Sequence, residues 1–331
     1  MRVTVVGAGS WGTTLADMLA RSGHEVALWA REAEVVASIN RTRLNELFLP
    51  GRPVHPAVRA YGDLARAVQD AEMIVSAAPS HAVRSVSRAM AGGLRGRPTV
   101  VSVSKGLEAD SLATMSAVLE ETLPGLPIVV LSGPTFAQEV YDGQPTAVVA
   151  ASQDPVAAER VQQAFSSPTF RVYTSTDVIG VELGGALKNV IALAAGILDG
   201  MGLGHNPRAA LITRGLAEMT RLGEALGADP TTFAGLAGMG DLILTATGHL
   251  SRNRSLGVEI GRGRELDEIL AERRTVAEGV HTAQAAVELG RRAGVELPIA
   301  SEVAQVLFEG KSPRQALSDL MERELKAEQW R

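Results

Sequence analysis

The first feature that could do chemistry is a glycine pattern close to the amino terminus. A β-branched run at residues 3–6 leads directly into Gly7-Ala-Gly9-Ser-Trp-Gly12, after which apolar residues continue at helical spacing. Between a strand and a helix, Gly7 allows a tight turn, Gly9 lets backbone amides approach a pyrophosphate, and Gly12 permits close helix packing. The pattern predicts a dinucleotide site at this turn; the alternative is a glycine-rich turn that binds nothing.

Two charged residues after the second predicted strand bear on which dinucleotide would bind. That strand ends in Trp29-Ala30-Arg31, and Glu32 follows directly. An acidic residue at this place holds ribose hydroxyls, as in NAD sites, whereas an arginine accommodates the 2′-phosphate of NADP. Arg31 therefore favours NADP, while Glu32 leaves NAD open. An ordinary solvated charge is the third interpretation of Arg31.

Lys188 is the candidate proton carrier. It lies within the apolar helical segment 181–196, and it is one of only four lysines among 32 basic residues. Burial disfavours an ammonium, so the pKa of such a lysine falls from about 10.4 toward about 7–8, where it can exchange a proton with a substrate oxygen. A lysine reaching solvent from the helix edge is the alternative, although Gly184 and Gly185 leave room for an approaching group.

The run Ser251-Arg252-Asn253 could bind a phosphate. It offers a hydroxyl, a forked guanidinium and an amide at a predicted helix start, where backbone amides also favour an anion. Ser251 as a plain N-cap is the alternative. Asp241, which follows Gly-Met-Gly and precedes an apolar run, is predicted either to cap a helix or to position a substrate hydroxyl and Lys188.

Two further positions follow predicted strands directly. Lys105 comes after the run at residues 100–103, and the turn Ser-Gly-Pro-Thr at residues 132–135 comes after the run at 128–131. Open α/β sheets bind ligands at the carboxyl ends of their strands. Lys105 could therefore hold a phosphate or polarise a carbonyl. The turn could expose amides to an anion, or could be no more than a tight turn.

The elements that would position these residues fall into two halves. Up to about residue 177, β-branched runs alternate with helical patterns, as in a parallel sheet with crossover helices. The predicted strands are 3–6, 25–28, 73–77, 99–103, 128–131, 146–151 and 170–173. From about residue 178 helical signals take over, with starts at Asn206-Pro207 and Asp229-Pro230. We expect a Rossmann-type, doubly wound, mostly parallel sheet at residues 1–178, then an all-helical domain at residues 179–331.

Composition argues against several kinds of site and partner. The chain has no cysteine, so disulfides, thiolate nucleophiles and Cys-ligated zinc are excluded, and no other metal-ligand cluster is recognisable. A net charge of −5 with scattered basic residues argues against nucleic acid and anionic membranes as partners. No signal-peptide pattern opens the sequence, and the longest apolar run, residues 190–198, is far shorter than the about 20 residues of a membrane helix. We expect a soluble, cytoplasmic protein.

A set of ordered motifs gives the sequence a family resemblance. The chain contains GAGSWG, SKGLE, SGPTFAQE, GGALKN, ITRGLAEM, GMGDL and SRNR in this order, followed by TVAEGV. With these motifs it resembles the bacterial NAD(P)-dependent glycerol-3-phosphate dehydrogenases over essentially its whole length. The resemblance implies interconversion of sn-glycerol 3-phosphate and dihydroxyacetone phosphate with NADP or NAD, in the supply of glycerophospholipid precursors. The loop at residues 248–250 matches no recognisable motif.

The resemblance also implies roles for individual residues. Lys188 would bind the substrate and accept the proton during oxidation. Cofactor contacts are implied for Ser10, Trp11, Arg31, Lys105, Ala137, Arg252, Val276 and Glu278. Substrate contacts are implied for Lys105, Gly133, Thr135, Asp241, Ser251, Arg252 and Asn253.

Two other functions compete with this interpretation. β-Hydroxyacid and 6-phosphogluconate-type dehydrogenases share the sheet-then-helices plan, but they pair the lysine with an asparagine four residues later, where this chain has Ala192; its asparagine is adjacent, at Asn189. A non-catalytic dinucleotide sensor would not need Lys105, Lys188 and Asp241 together. The partner expected is a small phosphate substrate, and a homodimer is a hypothesis that the sequence leaves open, as it does feedback regulation and the direction of flux.

Overall fold

An eight-stranded sheet occupies the first half of the chain in the computed structural model, which describes residues 1–273, 277–325 and 327–328. The strands are β1 (Arg2–Val6), β2 (Glu25–Trp29), β3 (Val58–Tyr61), β4 (Met73–Ser76), β5 (Thr99–Ser102), β6 (Ile128–Ser132), β7 (Thr146–Ala151) and β8 (Phe170–Ser175). The seven predicted strands are present, with ends shifted by at most two residues. β3 was missed because it is a four-residue edge strand whose alternating Val-Arg-Ala-Tyr pattern is too short to stand out.

The strand order places a topological switch beside the glycine turn. The order is β3-β2-β1-β4-β5-β6-β7-β8, and every pair is parallel except β6 with β7. The chain moves outward from β1 in one direction to β3 and in the other from β4, so the crevice between the carboxyl ends of β1 and β4 is where such sheets bind ligands. The predicted doubly wound, mostly parallel sheet is confirmed.

Helices cover both faces of this sheet. They are α1 (Ser10–Arg21), α2 (Ala33–Thr42), α3 (Leu64–Val68), α4 (Val83–Ala91), α5 (Met115–Thr122), α6 (Ala137–Tyr141) and α7 (Pro155–Phe165). One core packs α1 and α7 against one face, through Leu15, Leu19 and Phe165. A second packs α4 and α5 against the other, through Met90 and Leu119. Because both faces are buried, the central strands read as continuous apolar runs.

The second half is helical, as predicted. Its helices are α8 (Val178–Gly200), α9 (His205–Ala225), α10 (Pro230–Phe233), α11 (Asp241–Thr247), α12 (Arg252–Gly261), α13 (Leu266–Glu272), α14 (Glu278–Ala293), α15 (Pro298–Phe308) and α16 (Pro313–Met321). α9 begins at His205 with Gly204 as its extended N-cap, so the predicted cap at Asn206 was wrong: the backbone already turns helical before it. The domain boundary after residue 178 stays a prediction; β8 ends at Ser175 and α8 begins at Val178.

The long helix α8 is the core of the second half. It is 23 residues long and by length and mean hydropathy could cross a membrane, but 89% of its most apolar window is buried inside the protein. The helix is therefore longer than the apolar run at residues 190–198 suggested. Leu187, Ile191 and Leu193 contact the surrounding helices in the largest hydrophobic cluster. This burial is what surrounds Lys188 with protein.

Glycines bring α12 unusually close to α8. A Cβ at Gly257 would lie 2.2 Å from the carbonyl oxygen of Leu193, and one at Gly261 would lie 2.2 Å from that of Ile197. From the other side, a Cβ at Gly196 would lie 2.1 Å from the carbonyl oxygen of Arg254. No side chain fits at these positions, so the two backbones touch. The crossing holds the first turn of α12 against the middle of α8.

Candidate active site

The glycine turn between β1 and α1 has the shape that a dinucleotide diphosphate requires. Gly7 has φ +118°, a conformation that L side chains rarely adopt, and a Cβ at Gly12 would lie 1.9 Å from the carbonyl oxygen of Gly7. A Cβ at Gly9, in contrast, would meet nothing within 4 Å. α1 has no acidic residue in its first turn and no side-chain cap. The start of α1 is therefore without a side-chain acceptor of its own and has open space at Gly9, which fits the diphosphate of NAD(P).

The other residues predicted to contact a cofactor near this turn have protein partners. The Ser10 hydroxyl donates to the carbonyl oxygen of Phe48 at 2.5 Å, and Trp11 is half-buried against the sheet. The Arg31 side chain is 83% exposed and forms an ion pair with Glu32 at 2.8 Å. Arg31 and Glu32, the two alternatives for cofactor preference, therefore neutralise each other in the absence of a 2′-phosphate.

Two buried side chains accept hydrogen bonds from the nitrogen of Lys188. The residue is 6% exposed, and its Nζ donates to Oδ1 of Asp241 at 2.7 Å and to Oγ1 of Thr245 at 2.6 Å. Burial lowers the pKa of Lys188 to about 8, although the Asp241 carboxylate opposes this. The prediction of a buried lysine with a depressed pKa is supported over that of a lysine reaching solvent.

Asp241 joins the two lysines of the site. Its carboxylate accepts from Lys188 through Oδ1 and from Lys105 through Oδ2, at 2.7 Å in both cases. Burial alone would raise the pKa of Asp241, but the two ammonium groups hold it below its ordinary value. Of the two roles predicted for Asp241, the helix cap is wrong, because α11 starts at Asp241 itself with Gly240 as N-cap and no side-chain cap. The carboxylate points to the lysines instead.

Lys105 ties this carboxylate to the turn after β6. Its Nζ donates to the carbonyl oxygen of Gly133 at 2.8 Å and lies 3.4 Å from Oγ1 of Thr135. Gly133 has φ +150°, and a Cβ there would lie 2.9 Å from the backbone of Val148. The turn at residues 132–135 is thus fixed from both sides. The structure brings Lys105, Gly133, Thr135, Asp241 and Lys188 together.

A chain of amide hydrogen bonds connects the backbone of Lys105 to the start of α12. Asn189 donates to the carbonyl oxygen of Lys105 at 3.2 Å and accepts from Nδ2 of Asn253 at 2.9 Å. Oδ1 of Asn253 in turn accepts from the backbone amide of Gly279 at 2.9 Å. Both Nδ2 and Oδ1 of Asn253 are therefore hydrogen-bonded to protein groups. Asn189 and Thr245 were both missed as site residues; for Thr245 the signal was its spacing of four residues from Asp241 on one helix face.

The residues beside Asn253 divide their roles. Ser251 caps α12 by accepting from the amide of Arg254 at 3.2 Å. Arg252 is exposed, and its guanidinium donates to no partner among residues 1–273, 277–325 and 327–328. Desolvation by the surrounding protein lowers the pKa of Arg252, and the Glu278 carboxylate partly opposes this. A guanidinium with its N–H groups available at a helix start suits an oxyanion.

Three more predicted cofactor residues lie on the second half or on α6. Glu278, at the start of α14, accepts from the backbone amide of Ser80 at 3.1 Å and from the Ser80 hydroxyl. Ala137 begins α6, and its carbonyl oxygen accepts from Thr14 of α1 at 3.1 Å. Val276 lies outside the described residues. Glu278 thus joins the loop after β4 to the helical half.

Comparisons with known proteins agree with this geometry. The family model described as NAD-dependent glycerol-3-phosphate dehydrogenase N-terminus matches residues 2–158, and the one described as the C-terminus of the same enzyme matches residues 177–318. The chain belongs to this family. As a glycerol-3-phosphate dehydrogenase family member, it is an oxidoreductase that uses NAD(P).

Curated relatives and a solved structure match the chain from end to end. It is 58% identical to the glycerol-3-phosphate dehydrogenase (NAD(P)+) of Geobacter sulfurreducens, covering 99% of both chains. It is 55% identical to the enzyme of the same name from Geobacter sp. strain M21, covering 99% of this chain and 98% of that one. The crystal structure of glycerol-3-phosphate dehydrogenase from Coxiella burnetii has a TM-score of 0.94 at 38% identity, covering 97% and 99% of the two chains. This glycerol-3-phosphate dehydrogenase family member therefore shares both fold and length with its relatives.

Proposed function

We propose that this chain reduces dihydroxyacetone phosphate to sn-glycerol 3-phosphate and catalyses the reverse oxidation, with Lys188 as the group that carries the proton. The observation behind this assignment is the buried Lys188 ammonium between Asp241 and Thr245. The two Geobacter relatives named above are both called glycerol-3-phosphate dehydrogenase (NAD(P)+). The nicotinamide of the bound cofactor supplies or takes up the hydride.

Counting donors distinguishes the two lysines of the site. A lysine ammonium has three N–H groups. Lys105 directs them at three oxygens, those of Asp241, Gly133 and Thr135. Lys188 uses two, toward Asp241 and Thr245, among the residues that the structure describes. Lys188 therefore keeps one N–H for a substrate oxygen, whereas Lys105 acts as a fixed charge that holds the turn at residues 132–135.

The protonation state of Lys188 sets how the rates of reduction and oxidation depend on pH. With a pKa of about 8, the ammonium is mostly protonated near neutral pH and donates a proton to the carbonyl oxygen as that oxygen gains negative charge. In the oxidation, neutral Lys188 takes the proton from the hydroxyl. Asp241 stays ionised throughout, because the two ammonium groups stabilise its carboxylate.

The phosphate of the substrate would be held at the start of α12. The Arg252 guanidinium donates no hydrogen bond within the described part of the chain, and Asn253 is fixed by its hydrogen bond to Asn189. Ser251 accepts from the amide of Arg254 as the helix cap, so its hydroxyl keeps its proton to donate to a phosphate oxygen. The roles of Gly133, Thr135, Ala137, Val276 and Glu278 in binding remain proposals that rest on the family resemblance.

The finer properties of this enzyme are also proposals. We infer a preference for NADPH from Arg31, which would exchange its ion pair with Glu32 for the 2′-phosphate. A cytoplasmic location fits the absence of cysteine in the sequence. A homodimer is the proposed assembly, and its test is the mass of the purified protein in solution.

The assay for the reaction is NADPH oxidation with dihydroxyacetone phosphate, followed at the nicotinamide absorbance. Wild-type protein that binds NADPH but shows no oxidation would overturn the proposed function. Lys188→Met should lower kcat by about 100-fold or more, while the Kd for NADPH stays within about twofold. Lys311→Met is the matched control, because Lys311 pairs with Glu302 and Asp319 away from the site. Near-normal turnover in Lys188→Met would refute its role.

A further inference from the structure

The segment between α2 and β3 lies over the dinucleotide turn. Asn45 within it is fully buried, although asparagine is mostly an exposed residue type. Its backbone carbonyl accepts from the amide of Leu49 at 2.8 Å, which closes a compact turn at residues 45–49. A buried amide side chain in such a turn has to find partners for both its donors and its acceptor.

The side chain of Asn45 finds those partners on the glycine turn and within its own turn. Nδ2 donates to the carbonyl oxygen of Ala8 at 2.8 Å and to Oγ1 of Thr13 at 2.8 Å. Oδ1 accepts from the backbone amide of Phe48 at 3.2 Å. Thr13 adds a second bond to the carbonyl oxygen of Ala8, at 3.1 Å. The peptide between Ala8 and Gly9 is thus gripped at its oxygen.

Gripping this oxygen fixes where the amide of Gly9 points. The peptide is planar and trans, so its N–H is directed away from its carbonyl. Ala8 has glycine on both sides, and glycine leaves a backbone free to rotate. The hydrogen bonds from Asn45 and Thr13 remove that freedom. The Gly9 amide is consequently held in one orientation, at a residue beside which a Cβ would meet nothing within 4 Å.

The side chain of Ser10 also joins residues 45–49 to the start of α1. Its hydroxyl donates to the carbonyl oxygen of Phe48 at 2.5 Å, and a hydroxyl has a single proton to donate. Ser10 can therefore reach a phosphate oxygen only through its backbone amide while this bond lasts. The predicted cofactor contact of Ser10 becomes a main-chain contact, and its side chain secures residues 45–49 to α1.

We propose that Asn45 is a positioning residue for the dinucleotide, which holds the peptide between Ala8 and Gly9 in the orientation that binds the diphosphate. The proposal rests on the cofactor site of the proposed function. Asn45 touches neither the lysines nor the start of α12, so its effect is confined to dinucleotide affinity. The unbraced turn would sample orientations that turn the Gly9 amide away from the ligand.

Asn45→Ala tests this with NADPH alone, by titration calorimetry of the full chain. Loss of two hydrogen bonds to the turn should raise the Kd for NADPH about tenfold, while the KM for dihydroxyacetone phosphate at saturating NADPH stays within about twofold. Asn40→Ala is the matched control. Asn40 lies five residues before Asn45. Its side chain makes two hydrogen bonds to the backbone of Ala60, away from the glycine turn.

A second variant keeps the proposal testable if Asn45→Ala does not fold. Thr13→Val removes one acceptor of Asn45 and one donor to Ala8 while preserving side-chain volume, and should raise the Kd for NADPH about threefold. An unchanged Kd in both variants, or an equal rise in Asn40→Ala, would overturn the positioning role. Because binding is read without turnover, an inactive wild type would count against the proposed function and leave this inference standing.

Discussion

Asp241→Asn is the sharpest perturbation of the site, because it removes one charge from between two ammonium groups. The Asp241 carboxylate lies 2.7 Å from the nitrogens of Lys188 and Lys105 and is fully buried. Asparagine keeps an oxygen that can accept from Lys188 but loses the charge. The protonated form of Lys188 is then disfavoured by burial and by the positive charges of Lys105 and Arg252, with no carboxylate beside it to offset them. The pKa of Lys188 should fall well below its present value of about 8.

The size of the fall follows from the cost of leaving a buried charge unpaired. Breaking a buried ion pair costs about 3 kcal/mol at the lower end of measured values, and each pKa unit corresponds to about 1.4 kcal/mol. The pKa of Lys188 would therefore drop to about 6. At about pH 7.5 the protonated fraction would fall from about three quarters to about one thirtieth, an activity loss of about 25-fold from protonation alone.

The assay is the pH profile of kcat/KM for reduction of dihydroxyacetone phosphate at saturating NADPH. In the wild type the rate should be high at low pH and fall as pH rises through about 8, because reduction needs protonated Lys188. Oxidation should show the opposite limb. In Asp241→Asn the reduction limb should move to about pH 6, so that activity recovers on acidification. A merely misplaced substrate would lower the whole curve without moving it.

Thr245→Val is the control for this experiment. It removes a neutral hydroxyl that lies 2.6 Å from the same nitrogen. Loss of that hydrogen bond should destabilise the protonated form of Lys188 by about 1 kcal/mol, so the reduction limb of the pH profile should move by less than about one pH unit. If the limb of Asp241→Asn stayed at the wild-type pH, the ion pair would not set the pKa of Lys188, and the reasoning above would be wrong.

Three further perturbations test other parts of the molecule. Arg31→Ala should raise the KM for NADPH about tenfold and leave that for NADH unchanged, in steady-state assays, because only NADPH carries the 2′-phosphate. Gly257→Ala would place a Cβ 2.2 Å from the carbonyl oxygen of Leu193; it should lower the free energy of unfolding in urea by about 1–3 kcal/mol and raise the KM for dihydroxyacetone phosphate. Burial raises the pKa of Glu218 to about 7. Glu218→Gln should therefore abolish a loss of stability of about 3 kcal/mol that the wild type shows as pH rises from about 4.5 through 7.

Each of these has a result that contradicts it. Equal losses of NADPH and NADH affinity in Arg31→Ala, with Arg41→Ala as an exposed control, would show that Arg31 does not read the 2′-phosphate. Gly92→Ala, where a Cβ meets nothing within 4 Å, should be nearly neutral, and a loss equal to that of Gly257→Ala would contradict the close helix crossing. A wild-type stability that does not fall between pH 5 and 7 would show that Glu218 is not held protonated.

The sequence alone was sufficient for the elements whose chemistry is local. The glycine turn follows from steric requirements within six residues, and the buried strands are continuous β-branched runs. Lys188 stood out because a charge in an apolar helix needs an explanation. In each case the reason for the structure lies within one turn or strand of the residue concerned.

Partners that meet across the fold could not be predicted in this way. Asp241 was expected to cap a helix or to serve Lys188, and only the packing of α8 against α11 and the sheet shows that it bridges Lys105 and Lys188. Asn45 carries no motif of its own, since its bonds reach back more than 30 residues to Ala8 and Thr13. The glycines of α12 read as ordinary helix positions until their contact with α8 is seen.

The charges of the site favour an anionic ligand. Lys105 and Lys188 carry two positive charges against the single negative charge of Asp241, and Arg252 adds a third positive charge that the Glu278 carboxylate offsets only through space. The protein's own groups therefore leave an excess of positive charge in surroundings that disfavour it. A phosphate dianion would cancel this excess. The substrate thus supplies the charge that the fold leaves out, and we expect inorganic phosphate to raise the melting temperature of the wild type but not of Arg252→Gln.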